Sequence, residues 1–238
     1  MTRRQPGFVM TFAVLLLSAT WLTAESPTVF ILDGVHLAEM RLNVLERPQD
    51  FAVPLRVIRN DADQALREGP WSVMDKEHVP LSGDKHDYYS VGPYWWPDPS
   101  KTDGLPYIRR DGEVNPERYE YDNVGLKKTV AAVDDLATAW YFTNEPKYAH
   151  RAAVLLRTWF LDPATKMNPH LQYGQAIPGR TEGRGIGIID TAQLVYLVDA
   201  VGLLRLSEVW PDSDHQKLQA WFREYLAATS TRSTCQMV

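Results

Sequence analysis

The chain has 238 residues, of which 45% are hydrophobic, and its formal net charge is -5. This length suits one globular domain or a piece of a larger protein, and the negative charge argues against non-specific binding to nucleic acid. The single cysteine, Cys235, excludes an intrachain disulfide and therefore a small disulfide-stapled fold.

The N-terminus has the features of a secretory signal peptide. Arg3 and Arg4 form a basic start, residues 8–20 form an apolar run, and Ala24 offers a small residue for cleavage. The apolar run is too short to cross a bilayer comfortably. We therefore expect residues 1–24 to be removed, which leaves a periplasmic or secreted protein with no membrane association. An uncleaved membrane anchor is the alternative.

Two short helices are predicted after the signal peptide. Residues 25–49 are interpreted as an N-terminal lead, extended at first and helical over residues 38–45. A second helix is predicted over residues 61–67, where Gly69-Pro70 would end it.

Residues 82–112, here called the aromatic segment, combine many prolines and glycines with clustered aromatic rings. This density of proline and glycine predicts no regular element. The rings are too many for a solvent-exposed loop. They would either plug the end of a helical barrel or line a sugar cleft beside Lys85 and His86, because sugar rings stack on exposed aromatic faces. The clustered rings are Tyr88, Tyr89, Tyr94, Trp95 and Trp96. For most of the eight tryptophans of the chain, a place in the core is expected.

Apolar residues at helical spacing predict four further helices. The first covers residues 127–142, and the second runs from an N-cap at Asn144 to about residue 161. The third and fourth cover residues 191–209 and residues 213–228. Short links near residues 143–145 and 210–212 predict antiparallel neighbours. The predicted fold class is therefore all-α, an incomplete (α/α) toroid of antiparallel helix pairs with long irregular loops. Because residues 227–238 are polar and a toroid needs more helix pairs, we expect a truncated or frame-altered product.

Residues 168–190, here called the central segment, show neither a helical nor a strand period. A structureless connection of this length is usually functional or disordered. Its apolar anchors favour an ordered loop that projects polar side chains into a cleft. Those side chains are His170, Gln172, Tyr173, Gln175, Arg180, Glu182 and Arg184.

Two motifs together resemble the alginate lyase superfamily, the α/α-toroid polysaccharide lyases that act on uronic-acid polymers. The first is Lys85-His86-Asp87-Tyr88 followed by Pro93-Tyr94-Trp95-Trp96-Pro97. The second begins with Asn168-Pro169-His170-Leu171, continues through Tyr173, Gln175-Ala176, Pro178-Gly179 and Gly183-Arg184, and ends with Gly187-Ile188-Ile189-Asp190. The resemblance covers residues 50–226. It implies one domain over residues 50–238, an anionic polysaccharide as partner, and no cofactor.

The reaction implied by this resemblance is β-elimination. A base removes the C5 proton of a uronate, the bond at C4 breaks, and an acid protonates the leaving oxygen. The adjacent carboxylate must be neutralised by donors such as Arg, Gln or protonated His. A metal is an alternative neutraliser, but no His/Asp cluster has convincing ligand spacing.

The resemblance implies three catalytic candidates, namely His170, Tyr173 and Arg184. The substrate-binding candidates are Lys85, His86, Tyr94, Trp95, Trp96, Gln172, Gln175 and Arg180. The family's adjacent Asn-His pair is absent, so the identity of the base stays open. Structural roles compete with each assignment, and Arg184 in particular could bind a carboxylate bidentately or pair with Glu182 or Asp190.

Two other functions compete with the lyase. One is a glycoside hydrolase on the same toroid, with a carboxylate pair drawn from Asp87, Glu182 and Asp190. The other is a non-catalytic remnant that binds carbohydrate on Tyr94, Trp95 and Trp96. An unsaturated product that absorbs in the far ultraviolet would distinguish the lyase from both.

Overall fold

The computed structural model describes residues 25–235, with side chains described as far as residue 230. The predicted signal peptide lies outside the described residues. The described chain is mostly helical, as predicted. Its helices are α1 (Gly34–Glu46), α2 (Ala52–Ala65), α3 (Asp122–Thr143), α4 (Pro146–Leu156), α5 (Leu194–Leu204) and α6 (Asp212–Cys235). A π-helical turn, Arg157–Leu161, follows α4 directly.

Short elements occupy the connections between these helices. The strands are β1 (Tyr89–Val91), β2 (Trp95–Trp96), β3 (Ile108–Arg109) and β4 (Tyr173–Ala176). The 3-10 helices are Pro48–Phe51, Val73–Asp75, Pro116–Glu120 and Gly185–Thr191.

Helix α3 forms the centre of the hydrophobic core. Its residues Val133, Leu136 and Ala137 recur at the spacing of one helical face and are fully buried. The helix packs against α2, α4 and α5. The core also contains Trp140, Trp159, Trp210 and Trp221, which are half of the eight tryptophans rather than the predicted majority, and Trp71 packs against it partly buried.

The junction between α3 and α4 differs from its prediction. Asn144 is not the N-cap of α4 but the C-cap of α3, with a left-handed φ of 57° and its N–H donating to the Trp140 carbonyl. Asparagine tolerates this conformation better than most residues, so it suits either end of a helix. Glu145 is the N-cap of α4, and Pro146 occupies the first turn as predicted.

Other helix boundaries were also wrong. Helix α2 begins at Ala52, not at residue 61, because Pro54 is tolerated in a first turn. Helix α5 is limited to Leu194–Leu204, since Gly185–Thr191 forms a separate 3-10 helix. Helix α6 continues to Cys235, beyond the predicted end at residue 228.

The absence of regular structure predicted for the aromatic and central segments was wrong as well. Strand β1 pairs in parallel with β4, with Tyr89 opposite Tyr173 and Val91 opposite Ala176. Strand β2 pairs antiparallel with β3, so that Trp95 lies opposite Arg109. These strands have two to four residues, which is too short for an alternating pattern to be recognised between prolines and glycines.

The N-terminal lead is attached to α5. The buried carboxylate of Asp199 accepts hydrogen bonds from the backbone N–H groups of Phe30, Ile31 and Leu32 at 2.7–3.0 Å. In residues 25–235, no single helix is long and apolar enough to span a membrane. The bent pair Gly185–Thr191 and Leu194–Leu204 reaches that length and composition together, and Leu197 and Leu204 of this pair are fully buried in the core.

Candidate functional site

The aromatic and central segments meet along the parallel pair of β1 and β4. Asn168 Nδ2 donates to Asp87 Oδ1 at 2.7 Å, and the Tyr107 N–H donates to the Pro178 carbonyl at 3.0 Å. The two strands of a parallel pair run in the same direction, so their ends lie side by side. The residues that follow β1 and β4 are therefore brought together, as are those that precede them.

A buried ion pair stabilises the residues at the start of β1. Lys76 Nζ lies 3.0 Å from Asp122 Oδ2, with both side chains almost fully buried. Lys76 also donates to the Lys85 carbonyl, and Asp122 accepts the Tyr89 N–H at 2.7 Å. Burial raises the pKa of Asp122 and lowers the pKa of Lys76, and the opposite charge of each partner counters both shifts. The pair fixes both ends of residues 85–89.

Lys85 and His86 use their side chains within the fold. Lys85 Nζ donates to the Met74 carbonyl at 3.2 Å, and His86 Nδ1 lies 2.7 Å from the Lys166 carbonyl. Both residues are partly exposed. They border the region predicted to bind substrate, and these contacts hold the aromatic segment on its neighbours.

A histidine and a buried carboxylate lie together just before β1 and β4. His170 Nε2 is 2.9 Å from Asp87 Oδ1. Asp87 also accepts hydrogen bonds from Ser82 and Asn168, each at 2.7 Å. A carboxylate at Nε2 fixes the ring orientation and favours the neutral tautomer that carries its proton there. The other ring nitrogen, Nδ1, then remains as an acceptor, and the Gln172 N–H lies 3.4 Å from it.

An open cavity of about 380 Å³ lies on one face of the β1–β4 pair. Tyr89 and Tyr173 form its wall, with Arg180 and Glu182 beyond them. The ring of Tyr173 contacts that of His170 edge-on, with centroids 6.4 Å apart. Tyr173 is nevertheless buried, whereas Gln172 beside it is exposed.

Trp95, Arg180 and Arg184, here called the arginine–tryptophan cluster, lie beyond the ends of β1 and β4. The Arg180 guanidinium is 5.4 Å from the centre of the Trp95 ring. Gly92 separates Trp95 from Arg184, since a β-carbon on Gly92 would lie 2.7 Å from Trp95 Cδ1 and 2.5 Å from Arg184 Nη2. In the described part of the chain, neither arginine forms an ion pair with an acidic residue.

Arg184 is held by main-chain and amide oxygens. Its Nε donates to the Gln175 carbonyl at 2.8 Å, and its Nη2 donates to Gln175 Oε1 at 3.0 Å. Burial lowers the pKa of Arg184, and nearby Arg109 adds to this effect while Asp190 opposes it. A guanidinium still remains charged at neutral pH. The structure therefore does not support the alternative that Arg184 pairs directly with Glu182 or Asp190.

Tyr94 and Trp96 extend the aromatic surface beside this cluster. Tyr94 is exposed, and Trp96 is partly covered by Arg110, whose guanidinium lies 5.0 Å from the ring centre. Trp96 Nε1 donates to the Glu113 carbonyl at 3.0 Å. Both rings have an accessible face with polar groups at its margin, which is the character of a sugar-binding platform.

The three carboxylates proposed for a hydrolase have different surroundings. Asp87 and Asp190 accept several internal hydrogen bonds, those of Asp190 coming from Tyr88, Ser90 and Gln175. Glu182 alone of the three is exposed. Within residues 25–235, no group of three or more His, Cys, Asp or Glu residues is arranged to hold a metal ion.

Sequence reasoning missed several residues that build the site. Lys76 and Asp122 belong to separate elements and show no shared pattern. Gly92 precedes the Pro-Tyr-Trp-Trp motif, where a glycine is compatible with a close approach of other groups. The sequence indicates Tyr89 only as one of the clustered aromatic rings, whereas in the structure burial raises its pKa and it lines the cavity beside Tyr173.

Comparisons with known proteins point to one family. The profile of the family described as Alginate lyase matches residues 72–237. The structure is similar to the crystal structure of an alginate lyase from Bacteroides ovatus, with 43% sequence identity and a TM-score of 0.79. This similarity covers 84% of the present chain and 53% of that chain. The present chain therefore spans about half the length of that relative. No curated protein is significantly similar to it.

Proposed function

Because the chain belongs to the alginate lyase family, we propose that its cleft binds a uronic-acid polymer and takes part in cleaving it by β-elimination. The observation that carries this proposal is the arginine–tryptophan cluster. It combines an aromatic face with two guanidinium groups that form no ion pair with a described acidic residue. An aromatic face suits a sugar ring, and a guanidinium suits its carboxylate.

Arg184 is the proposed neutraliser of the uronate carboxylate. Its Nε and one Nη2 hydrogen are directed to Gln175. A guanidinium has five N–H donors, so three are left for a ligand. A bound carboxylate that shares its charge with Arg184 makes the neighbouring C5 proton more acidic, because the enediolate formed on its removal is stabilised.

His170 is the proposed proton-transfer group. Asp87 accepts from its Nε2, which leaves Nδ1 as the acceptor. Tyr173 lies edge-on to the same ring and faces the cavity. These contacts support a role for Tyr173 in placing the sugar against His170. We further propose that Tyr94, Trp95 and Trp96 carry neighbouring sugar rings.

The finer architecture and the location of the protein are also proposals. The link of two residues between α3 and α4 and their extensive packing support an antiparallel pair. We infer that the described helices form part of an (α/α) toroid. The proposed location is the periplasm or the exterior of the cell, from the signal-like residues 1–24.

The test is to incubate the purified chain with alginate and with a polyglucuronate, and to record far-ultraviolet absorbance together with new reducing ends. A lyase raises both signals, whereas a hydrolase raises only the reducing ends. The Arg184→Gln variant should lose both signals. The control Arg67→Gln, at an exposed position just after α2, should keep them. Absorbance that stays unchanged with both polymers contradicts β-elimination by this chain.

A further inference from the structure

The side-chain amide of Gln175 lies between Arg184 and Asp190. Its Nε2 donates to Asp190 Oδ1 at 2.9 Å, and its Oε1 accepts from Arg184 Nη2 at 3.0 Å. Both polar ends of the amide are therefore engaged. The residue is 6% exposed, so its amide has little surface left with which to contact a sugar.

The backbone of Gln175 is in a conformation that glutamine does not favour. Its φ is 51°, which lies in the left-handed region that glycine adopts readily and residues with long side chains adopt rarely. Its N–H donates to Ser90 Oγ at 2.7 Å. Backbone strain of this kind persists where the surroundings require it. Glycine would satisfy the backbone here, so what glutamine adds is its amide.

Further hydrogen bonds fix the carboxylate of Asp190, which contacts the Nε2 end of this amide. Its Oδ2 accepts from Ser90 Oγ at 2.5 Å and from the Tyr88 hydroxyl at 3.2 Å. The Tyr88 ring is fully buried. A carboxylate held in this way cannot turn away from Arg184. If the two were in direct contact, an internal ion pair would form and would compete with any anionic ligand.

We propose that Gln175 is a positioning residue: a neutral spacer that orients Arg184 and prevents Asp190 from neutralising it, so that the cleft selects a negatively charged sugar. This inference rests on the proposed function, because it assigns the free face of Arg184 to a uronate carboxylate. It also replaces the predicted direct contact between Gln175 and substrate with an indirect role.

Two substitutions separate this role from a purely structural one. Gln175→Gly relieves the left-handed backbone but also removes a buried amide with two hydrogen bonds. Its ligand preference, rather than its thermal midpoint, therefore separates the two roles. Gln175→Glu retains the size of the side chain but places a second carboxylate against Arg184. A residue needed only for folding would instead change the affinity for charged and neutral sugars alike.

The experiment is calorimetric titration of the full chain with a mannuronate oligosaccharide and with its carboxyl-reduced, neutral counterpart. For the charged oligosaccharide, Kd should rise on the order of tenfold in Gln175→Gly and further in Gln175→Glu. For the neutral one, neither variant should change Kd. Gln49→Gly, at an exposed position in the 3-10 helix Pro48–Phe51, is the control and should leave the preference for charge intact.

The possible failures are distinguishable. If the unmodified chain binds the charged oligosaccharide and both variants bind it as tightly as the unmodified chain does, the spacer role of Gln175 is contradicted while the proposed function stands. If the variants lose the charged and the neutral oligosaccharide alike, Gln175 shapes the cleft without setting its charge preference, and the inference is again overturned. If the unmodified chain binds no uronate oligosaccharide, the proposed function fails and this inference fails with it.

Discussion

Lys76 and Asp122 form an ion pair with an Nζ–Oδ2 distance of 3.0 Å, at a position where 1% and 2% of their side-chain surfaces are exposed. Two further bonds from Lys76 go to the carbonyls of Val73 and Lys85 at 2.6 Å. The pair therefore connects the core helix α3 to the aromatic segment. Its contribution is to hold the site in place as well as to stabilise the fold.

Replacing Lys76 by methionine should destabilise the protein by about 3–5 kcal/mol, because Asp122 is then left buried without a counter-charge. Urea unfolding measures this change. The double variant Lys76→Met/Asp122→Leu should be less destabilised than the single one. As a control, Arg205→Gln breaks the exposed pair with Asp212 and should cost no more than about 1 kcal/mol. Equal costs for the buried and the exposed pair would refute this account.

Adding a methyl group at Gly92 should impair ligand binding more than folding. The new β-carbon would lie 2.7 Å or less from both Arg184 and Trp95, so one of these side chains must move. We expect Gly92→Ala to weaken binding of a uronate oligosaccharide on the order of tenfold, a scale of about 1.4 kcal/mol. Gly83→Ala is the control, because Gly83 has a φ of 79° with nothing within 4 Å of its β-position. It should lose stability without losing affinity.

Asp87 and Asp84 offer a matched comparison around His170. Both carboxylates accept hydrogen bonds from Asn168 Nδ2, but only Asp87 contacts His170. If His170 transfers the proton, Asp87→Asn should lower kcat at least tenfold, since the tautomer of the ring is no longer fixed. Asp84→Asn should leave kcat near that of the unmodified protein. Steady-state kinetics on a uronate polymer compares them, and equal effects would remove His170 from the mechanism.

Asp135 on α3 should make stability fall as pH rises. Burial raises its pKa to about 6, and Asp134 and Asp61 add to the shift. The unfolded value is near 3.9. Since the folded-state pKa is higher, the favourable contribution is complete below about pH 4 and is lost as pH rises through 6. Asp135→Asn should therefore raise the thermal midpoint at pH 7.5 by at least about 2 °C, with no gain at pH 4.

Asp63 provides a control of opposite sign for this pH dependence. Hydrogen bonds from Lys147 and Tyr148 lower its pKa. Its favourable contribution is therefore present above the unfolded pKa and is lost as pH falls. Asp63→Asn should lower the thermal midpoint at neutral pH. Midpoints that shift in the same direction for both variants would contradict the assignment of these shifts.

The helical core could be predicted from the sequence because its signal is local. Leu136, Ala137 and Trp140 recur at helical spacing on one face of α3, and all three are buried. The ends of the helices were less predictable. Asn144 can cap either end of a helix, and its left-handed φ depends on how the chain turns into α4.

The candidate site could be predicted only in part, because its geometry depends on distant pairings. The resemblance implied substrate binding by Trp95 and Arg180 and a catalytic role for Arg184, and the structure places the three in one cluster. The sequence could not indicate that β1 and β4 pair across more than eighty residues, since each strand is too short for a recognisable period. It therefore could not indicate that Gln175 would lie between Arg184 and Asp190.

The most direct test of the central claim is the affinity of the unmodified chain and of Arg184→Gln for a uronate oligosaccharide and for its carboxyl-reduced form, measured by calorimetry. We predict that the unmodified chain prefers the charged form by at least about tenfold, a scale of about 1.4 kcal/mol. In Arg184→Gln, this preference should disappear. Equal affinity of the unmodified chain for the two forms, or an undiminished preference in the variant, would contradict the claim that Arg184 binds the uronate carboxylate.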